Sequence, residues 1–376
     1  MRFNPLLAKL GRRTLLGAGL GFCASQIARP LLLPARAQPE DGSGRSASRT
    51  ADPAVADFYK KRDITLLVAS APGGVNDLVG RLIAKHLTDF IPGSPSIIVE
   101  NLRAAGIVLA NRLYANEPKD GSVVAMLERS TPQLAVVGDP NVRFDPLRLT
   151  WLGSVSSYAH DAYVLVVNAS FPAKTVADLK VVGGPVARIG TTGAGSTNAV
   201  FTDICRDVLK LNVKNIRGYR GAADVFLAQE RGELDGQVVG FSSMKAGQAA
   251  LWKQGFFRPL IAFGRETRLP ELPEVPTGQE LTKDPNALAL IKFAEAPFHM
   301  ALPLVAPPEI PQDRAGALKT AFMSMAKAPA FVQDAQKLSL DVSPVDGDAV
   351  LHQVEMLQKT PKAIIAEYNR IVPLSD

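Results

Sequence analysis

Two glycine-rich loops are the segments of this sequence with the clearest chemical potential. Residues 71–77 (APGGVND) follow an apolar run and precede a helical pattern, and residues 192–197 (TGAGST) stand in the same context. Glycine lets the backbone approach a ligand closely, and the free N–H groups of a first helical turn carry partial positive charge. Each loop is therefore a candidate anion-binding site without a lysine or arginine. Such loops also occur simply to connect a strand to a helix, and spacing alone leaves that alternative open.

Four other polar residues could take part in the same site. Ser130 and Thr131 follow the third predicted strand, where they could line the site or form a plain turn. Tyr219 could rim a cleft or belong to the core with its hydroxyl hydrogen-bonded. Asp77 could contact a ligand or merely stabilise the N-terminus of its own helix.

No catalytic or cofactor-binding constellation can be recognised. The histidines, at positions 86, 160, 299 and 352, are far apart and form no HExxH motif, so no metal site is predicted. No GxSxG motif is present. Residues 190–196 (GTTGAGS) are similar to a phosphate loop, but Ser196 stands where a Walker sequence requires lysine, and a dinucleotide fingerprint would need a third glycine. We therefore expect no cofactor and no enzymatic activity.

The charge of the chain is concentrated at its N-terminus. Of the 42 basic residues, six lie in residues 1–37 together with no acidic residue, which leaves 36 basic residues against the 36 acidic ones in the rest of the chain. The formal net charge of +6 therefore belongs to the first 37 residues. Because the rest of the chain has no net positive charge to attract a polyanion, no nucleic-acid partner is predicted.

Residues 1–37 have the pattern of a cleaved export signal. A basic stretch ends in Arg12 and Arg13, the apolar run 14–27 follows, and Ala35-Arg36-Ala37 is an A-x-A cleavage site that makes Gln38 the first mature residue. The order GRRTLL resembles a twin-arginine signal. An uncleaved anchor is the alternative, but the run of about 14 apolar residues is shorter than the roughly 20 that span a bilayer.

The elements that must position the loops are predicted by the alternation of apolar runs and helical patterns. Strands at 64–69, 97–100 and 123–127 alternate with helices at 76–90 and 105–115, and this βαβαβ order predicts a parallel sheet with helices on both faces. A second α/β unit follows, with strands at 162–167, 188–191, 213–216, 236–239 and 259–262. A strand at 299–305, helices at 312–326 and 329–337, and a long helix from 346 with a kink at Pro361 complete the prediction. Two such halves suggest a cleft between domains, where small ligands usually bind.

The sequence resembles the substrate-binding receptors of tripartite tricarboxylate transporters, the Bug-type extracytoplasmic receptors. Residues 70–77 (SAPGGVND) are similar to the family's opening loop, 99–101 (VEN) to a strand end, and 119–121 (KDG) to a turn. Residues 164–178 (VLVVNASFPAKTVAD) resemble the opening of the family's second domain, and 258–277 (RPLIAFGRETRLPELPEVPT) provide the most specific match. Where the family usually has hydroxyl residues before the loop aspartate, this chain has Val75 and Asn76.

The resemblance implies an α/β fold of the periplasmic-binding-protein type II class, a Venus flytrap with a central cleft and two interdomain crossings. The implied domains are an export signal (1–37), a flexible leader (38–62), domain 1 (63–160 and 296–376) and domain 2 (161–295). The ligand-binding residues that it implies are Pro72, Gly73, Gly74, Val75, Asn76, Asp77, Ser130, Thr131, Thr192, Gly193, Ala194, Gly195, Ser196, Thr197, Tyr219 and Asp235.

The function that follows from the resemblance is that of a periplasmic solute receptor. We expect a monomer that binds a small organic anion, a carboxylate, and delivers it to membrane transporter subunits. A receptor that signals through a sensor protein without transport is the first alternative. A hydrolase that uses Ser196 as a nucleophile is the second, although no base lies at a recognisable spacing.

Overall fold

The computed structural model describes residues 52–70, 72–73, 75–102, 106–193 and 195–372, with Val75 described by its backbone alone. The predicted export signal, 1–37, and the leader up to residue 51 lie outside the described residues. So do Ala71 and Gly74 of the first glycine-rich loop and Ala194 of the second.

The described residues form two β-sheets surrounded by helices. The strands are β1 (Ile64–Val68), β2 (Ile97–Asn101), β3 (Val123–Met126), β4 (Thr150–Ser154), β5 (Tyr163–Asn168), β6 (Ala187–Gly190), β7 (Val213–Ile216), β8 (Gly236–Gly240), β9 (Phe257–Phe263), β10 (Pro303–Ala306) and β11 (Val345–Asp346). The helices are α1 (Pro53–Tyr59), α2 (Val75–Leu87), α3 (Gly106–Ala115), α4 (Thr131–Val136), α5 (Thr197–Asp207), α6 (Ala222–Glu230), α7 (Phe241–Gly247), α8 (Ala249–Lys253), α9 (Pro285–Glu295), α10 (Gln312–Lys327), α11 (Pro329–Lys337), α12 (Gly347–Gln358) and α13 (Lys362–Ile371).

The first sheet has the strand order β11-β4-β10-β3-β1-β2. Strand β1 is apolar because both of its faces are covered: Leu66 packs in the cluster that contains Ile83 of α2, and Leu67 packs in the cluster that contains Leu109 of α3. Strands β1, β2 and β3 are parallel, as their βαβαβ order predicts. The sheet is nevertheless mixed, because β10 returns antiparallel to both β3 and β4.

The second sheet has the order β7-β6-β8-β5-β9. Its β6, β7 and β8 are parallel, whereas β5 runs antiparallel to both β8 and β9. The prediction of a parallel sheet therefore holds for β1, β2 and β3, and both complete sheets are mixed. An apolar run buried on both faces is typical of a parallel strand, but β5 has the same pattern in an antiparallel position.

The chain crosses between the sheets twice. Residues 155–162 lead from β4 to β5, and a 3₁₀ helix, Ala296–Met300, leads from α9 back to β10. The two crossings run side by side, since Ala301 N–H donates to the Ser156 carbonyl (2.9 Å) and Val155 N–H donates to the Leu302 carbonyl (3.2 Å). The predicted domain boundaries after residues 160 and 295 fall within these crossings and stay predictions.

The C-terminal helices pack on different sheets. Helix α12 lies on β4 of the first sheet, whereas α13 packs on α9 and α5, which accompany the second sheet. The Tyr368 ring of α13 meets the Phe293 ring of α9 edge to face, with 5.0 Å between centroids. The predicted long helix is therefore two helices, and Pro361, which lacks a backbone N–H, separates them.

Other predicted elements differ in extent. Residues 53–59 of the predicted flexible leader form α1. Val55 and Tyr59 are buried in the same hydrophobic cluster as Leu66, and the Tyr59 hydroxyl donates to the Gly121 carbonyl (3.1 Å). The strand predicted at 299–305 begins only at Pro303, after the 3₁₀ turn. Among the described residues, no helix combines the length and the apolar character needed to cross a membrane.

Gly153 of β4 should tolerate no side chain. Its φ is +150°, and a Cβ there would lie 2.7 Å from the Val345 carbonyl oxygen and against the Phe322 ring. We expect Gly153→Ala to lower the free energy of unfolding by about 3 kcal/mol, because backbone strain adds to overpacking. Gly138→Ala is the control. Gly138 also has a positive φ, +79°, but a Cβ there would have no neighbouring atom within 4 Å among the described residues. Urea denaturation that gives equal losses for the two variants would contradict this account.

Candidate ligand-binding site

The first glycine-rich loop and the turn at Ser130 and Thr131 leave the same edge of the first sheet. Strands β1, β2 and β3 are parallel neighbours, so the segments after Val68, Asn101 and Met126 all emerge at their carboxyl ends. Helices α2, α3 and α4 begin there. Ligands of open α/β sheets bind in the crevice outside such strand ends.

Asp77 organises the first loop, in which Pro72 and Gly73 are exposed. The Asp77 side chain is 2% exposed, and its Oδ2 accepts from the Gly73 N–H (2.8 Å) and from Nε of Arg81 (3.0 Å). Its Oδ1 accepts from the Asn101 amide at the end of β2 (2.9 Å). The Arg81 guanidinium and the Gly73 N–H together lower the pKa of Asp77 to about 2. Both carboxylate oxygens thus hold the loop to its own helix and to the neighbouring strand.

Ser130 and Thr131 stand at the start of α4. Thr131 is buried, its N–H donates to the Glu128 carbonyl (3.0 Å), and its Oγ1 has no hydrogen-bond partner among the described residues. Ser130 is half-buried and makes no side-chain cap. The pair forms a turn, as one of the two alternatives predicts, and Ser130 also lines a cavity, whereas the unpaired Thr131 hydroxyl lies beside Gly106 at the start of α3.

Asn198 organises the second loop, which connects β6 to α5. Its Oδ1 accepts from the Ser196 hydroxyl (2.6 Å), the Thr192 hydroxyl (3.1 Å) and the Ala199 N–H (2.9 Å). The Ser196 hydroxyl also lies 2.6 Å from the Gly193 carbonyl oxygen. Ser196 therefore meets two acceptors and no base, which is not the environment of an activated nucleophile.

Arg129 connects the two sides of the cleft. It follows β3 of the first sheet, and its Nη2 donates to the Thr197 hydroxyl at the start of α5 (3.2 Å). The guanidinium lies 4.6 Å from the centroid of Phe298 and within 6 Å of the Tyr158 and Tyr163 rings. An arginine held on aromatic faces keeps most of its N–H donors for another partner. It is the cation that the two glycine-rich loops lack.

A narrow cavity lies beside this arginine and the second glycine-rich loop. Its volume is about 40 Å³, and its walls come from both sheets and from the C-terminal helix. Arg129, Ser130, Gly195 and Thr197 supply its polar atoms, and apolar side chains such as Phe298 complete it. The residues predicted at 130 and at 195–197 are thereby brought together.

A family model described as the tripartite tricarboxylate transporter family receptor, TctC, matches residues 79–370. The chain belongs to this family. The family consists of substrate-binding receptors of the periplasm and not of enzymes. Among curated relatives, a UPF0065 protein of Bordetella pertussis is 28% identical over 286 residues, which are 75% of this chain and 82% of the relative.

Solved structures share the architecture of this TctC-family receptor. A TctC solute-binding protein from Polaromonas has a TM-score of 0.64 at 20% identity, over 82% of this chain and 99% of the other. An R. palustris protein solved with adipate has a TM-score of 0.60 at 20% identity, over 83% and 99%. The fold is that of a type II periplasmic binding protein, as the resemblance implied.

Tyr219 lies beside the second loop of the TctC-family receptor. Its N–H donates to the Thr191 carbonyl, and the N–H of Gly218 donates to that of Thr192, both at 3.2 Å. Its half-buried ring packs on Val225 and the residues around it. The ring thus lies against apolar side chains, and a place for Tyr219 at the rim of the cleft stays a prediction.

Asp235 is not brought to the loops. It precedes β8, and its carboxylate accepts from the Arg188 backbone N–H (2.8 Å) and from Nε of the Arg188 side chain (2.9 Å) at the start of β6. The glycine-rich loop leaves β6 at the opposite end. Asp235 thus fastens the amino ends of two strands, and a ligand role has no geometric support.

Reasoning from sequence missed Arg129, the residue that links the first sheet to the second loop. One signal was available: an arginine directly before Ser130, at the carboxyl end of a predicted strand. The polar residues at the starts of α2 and α5 do not cap these helices with their side chains. Asn76 lies within the first turn of α2, and the Ser196 side chain makes no capping bond.

Asp77→Asn should lower the stability of the receptor in a pH-dependent way. The folded-state pKa of Asp77, about 2, lies below its ordinary 3.8, so the carboxylate stabilises the fold above pH 3.8 and ceases to do so as the pH falls through 2. We expect the variant to be less stable by about 2 kcal/mol at pH 7 and by less than about 1 kcal/mol at pH 2.5.

Urea denaturation at the two pH values measures this difference. Asp57→Asn serves as the control, because the Asp57 side chain is 68% exposed and meets only Lys60, at 3.6 Å. If the difference in the free energy of unfolding between wild type and Asp77→Asn does not change with pH, the charge of Asp77 does not hold the loop.

Proposed function

We propose that this chain is a periplasmic receptor that binds a small organic carboxylate between the two glycine-rich loops and delivers it to the membrane subunits of a tripartite transporter. The observation that carries the proposal is the position of Arg129. Its guanidinium reaches the second loop from the first sheet, is stacked on aromatic rings, and is paired there with the neutral Thr197 hydroxyl. A ligand carboxylate would supply a negatively charged partner for Arg129.

The helix that begins at the second loop adds to this positive potential. The first turn of α5 leaves N–H groups without partners inside the helix, and 11 residues make it long enough for a substantial dipole. Charge-assisted hydrogen bonds contribute roughly 1.5–3 kcal/mol each. Four or five of them supply the roughly 8 kcal/mol that corresponds to micromolar affinity.

The relative solved with adipate supports the ligand class, since a protein of the same fold holds a carboxylate. The receptor acts in this proposal as a monomer in the periplasm. Residues 1–37 direct its export by the twin-arginine route and are cleaved after Ala37. Closure brings the two sheets together about the paired crossings, and bound carboxylate favours the closed state.

Arg129→Gln should weaken the binding of carboxylates about 100-fold, because the variant loses a charged, two-pronged donor. A melting-temperature screen against carboxylates, amino acids and neutral sugars identifies the probe, and titration calorimetry measures its Kd. Arg268→Gln is the matched control, since Arg268 pairs with Glu280 on an exposed surface. Wild-type affinity in Arg129→Gln, or stabilisation by neutral sugars alone, would contradict the proposal.

Replacement of Arg12 and Arg13 by lysine should abolish export of the full-length chain, because the twin-arginine route requires the arginine pair. Cell fractionation measures the periplasmic share, and Arg2→Lys controls for a general loss of arginine. N-terminal sequencing of the exported wild type should begin at Gln38. Unchanged export of the double lysine variant would exclude the twin-arginine route.

A further inference from the structure

The cavity beside Arg129 has apolar walls that come from both sheets. Leu134 of α4 and Val137 directly after this helix line it, and so do Val200 and Phe201 of α5. Helix α4 follows β3 of the first sheet and α5 follows β6 of the second, so the two pairs of side chains accompany different sheets. A separation of the sheets would therefore widen the cavity between apolar surfaces.

Two further aromatic rings extend this apolar lining. Phe298 of the second crossing and Tyr368 of α13 also border the cavity, and both are buried. The Phe298 ring lies 5.7 Å from the Phe201 ring, between centroids, and 4.6 Å from the guanidinium of Arg129. Apolar surface thus lies directly beside the cation to which the ligand carboxylate is assigned.

The lining of this cavity offers one positive charge and no second one. Among the described residues that border it, Arg129 alone is charged. Of the described arginines that accompany the two loops, Arg81 is paired with Asp77 and Arg217 with Asp203. One carboxylate of a ligand therefore has a cationic partner here, whereas a second carboxylate that entered the cavity would be desolvated against apolar side chains.

We propose that this site selects monocarboxylates with an apolar body, with Arg129 binding the carboxylate and the side chains of α4, α5 and the second crossing covering the rest of the ligand. This inference rests on the proposed function and specifies its substrate class. Each methylene group that such a surface removes from water tightens binding about 4-fold, whereas a carboxylate buried without a partner weakens it. Adipate, with which a relative was solved, would then be a poor ligand of this receptor.

Four probes separate the effect of the carboxylate from that of the body attached to it. Acetate measures the carboxylate alone, hexanoate and benzoate add an apolar chain or ring, and adipate has the six-carbon chain of hexanoate with a second charge. Titration calorimetry of the receptor, expressed from the full-length chain, gives a Kd for each probe. The titrations are repeated with Leu134→Ala, which removes apolar surface from a half-buried wall of the cavity, and with Leu338→Ala, an exposed leucine outside it.

We expect wild type to bind hexanoate or benzoate about 10-fold or more tightly than acetate and adipate. Leu134→Ala should weaken the binding of the preferred probe by about 5-fold and leave acetate unchanged, because acetate has no body to contact the wall. Leu338→Ala should match wild type. The ranking of the four probes by wild type tests the inference independently of how well Leu134→Ala folds.

Two results would overturn this inference and leave the proposed function standing. One is a Kd of adipate or acetate as low as that of hexanoate and benzoate, and the other is an unchanged Kd of the preferred probe in a folded Leu134→Ala variant. Failure of all four probes, together with the wider carboxylate screen, would overturn the proposed function as well.

Discussion

A buried carboxylate at the start of α2 is the interaction on which the candidate site depends. Asp77 binds the Gly73 N–H, the Arg81 guanidinium and the Asn101 amide, and so joins a loop, a helix and a neighbouring strand. The same carboxylate also offsets the positive potential of the first turn of α2. The first loop is therefore not an anion-binding site equal to the second, because its own aspartate already fills that electrostatic role.

This constraint explains the importance of Arg129. With the potential of α2 offset from within, the cation that faces the cleft from the first sheet is a side chain and not a helix terminus. Its stacking on Phe298 ties it to the second crossing, and its bond to Thr197 ties it to the second sheet. A cavity of about 40 Å³ is too small for a dicarboxylate, so the proposed binding of a ligand there requires Arg129 to move or the sheets to separate.

Local patterns of the sequence predicted much of the fold. Strand β7 and helix α11 have the predicted limits, 213–216 and 329–337, because an apolar run and a proline-initiated helical pattern specify them locally. Helix α9 was missed although Asp284 caps it and Pro285 opens it. The direction of β5 and β10 could not be read from the sequence, since burial on both faces is compatible with either direction.

The site was less predictable than the fold for a related reason. The glycines identify where a backbone can approach a ligand, but Asp77 and Arg129 each have one partner that comes from an element distant in sequence. Asn101 lies 24 residues from Asp77, and Thr197 lies 68 residues from Arg129. Asp235 is the opposite case. The family resemblance predicted that it binds the ligand, whereas the pairing of β6 with β8 puts it at the end of the second sheet that lies away from the glycine-rich loop.

The course of the C-terminal helix also determines how this protein can be recombined with its relatives. A cassette cut at the two crossings, 161–295, would carry α5 and α9 but leave α13 behind. The Phe293 ring and the apolar face of α5 would then be covered by a foreign helix or by water, and the graft would lose the edge-to-face contact with Tyr368. A chimaeric receptor with exchanged specificity therefore needs α13 to travel with the cassette, as a third segment of the donor chain.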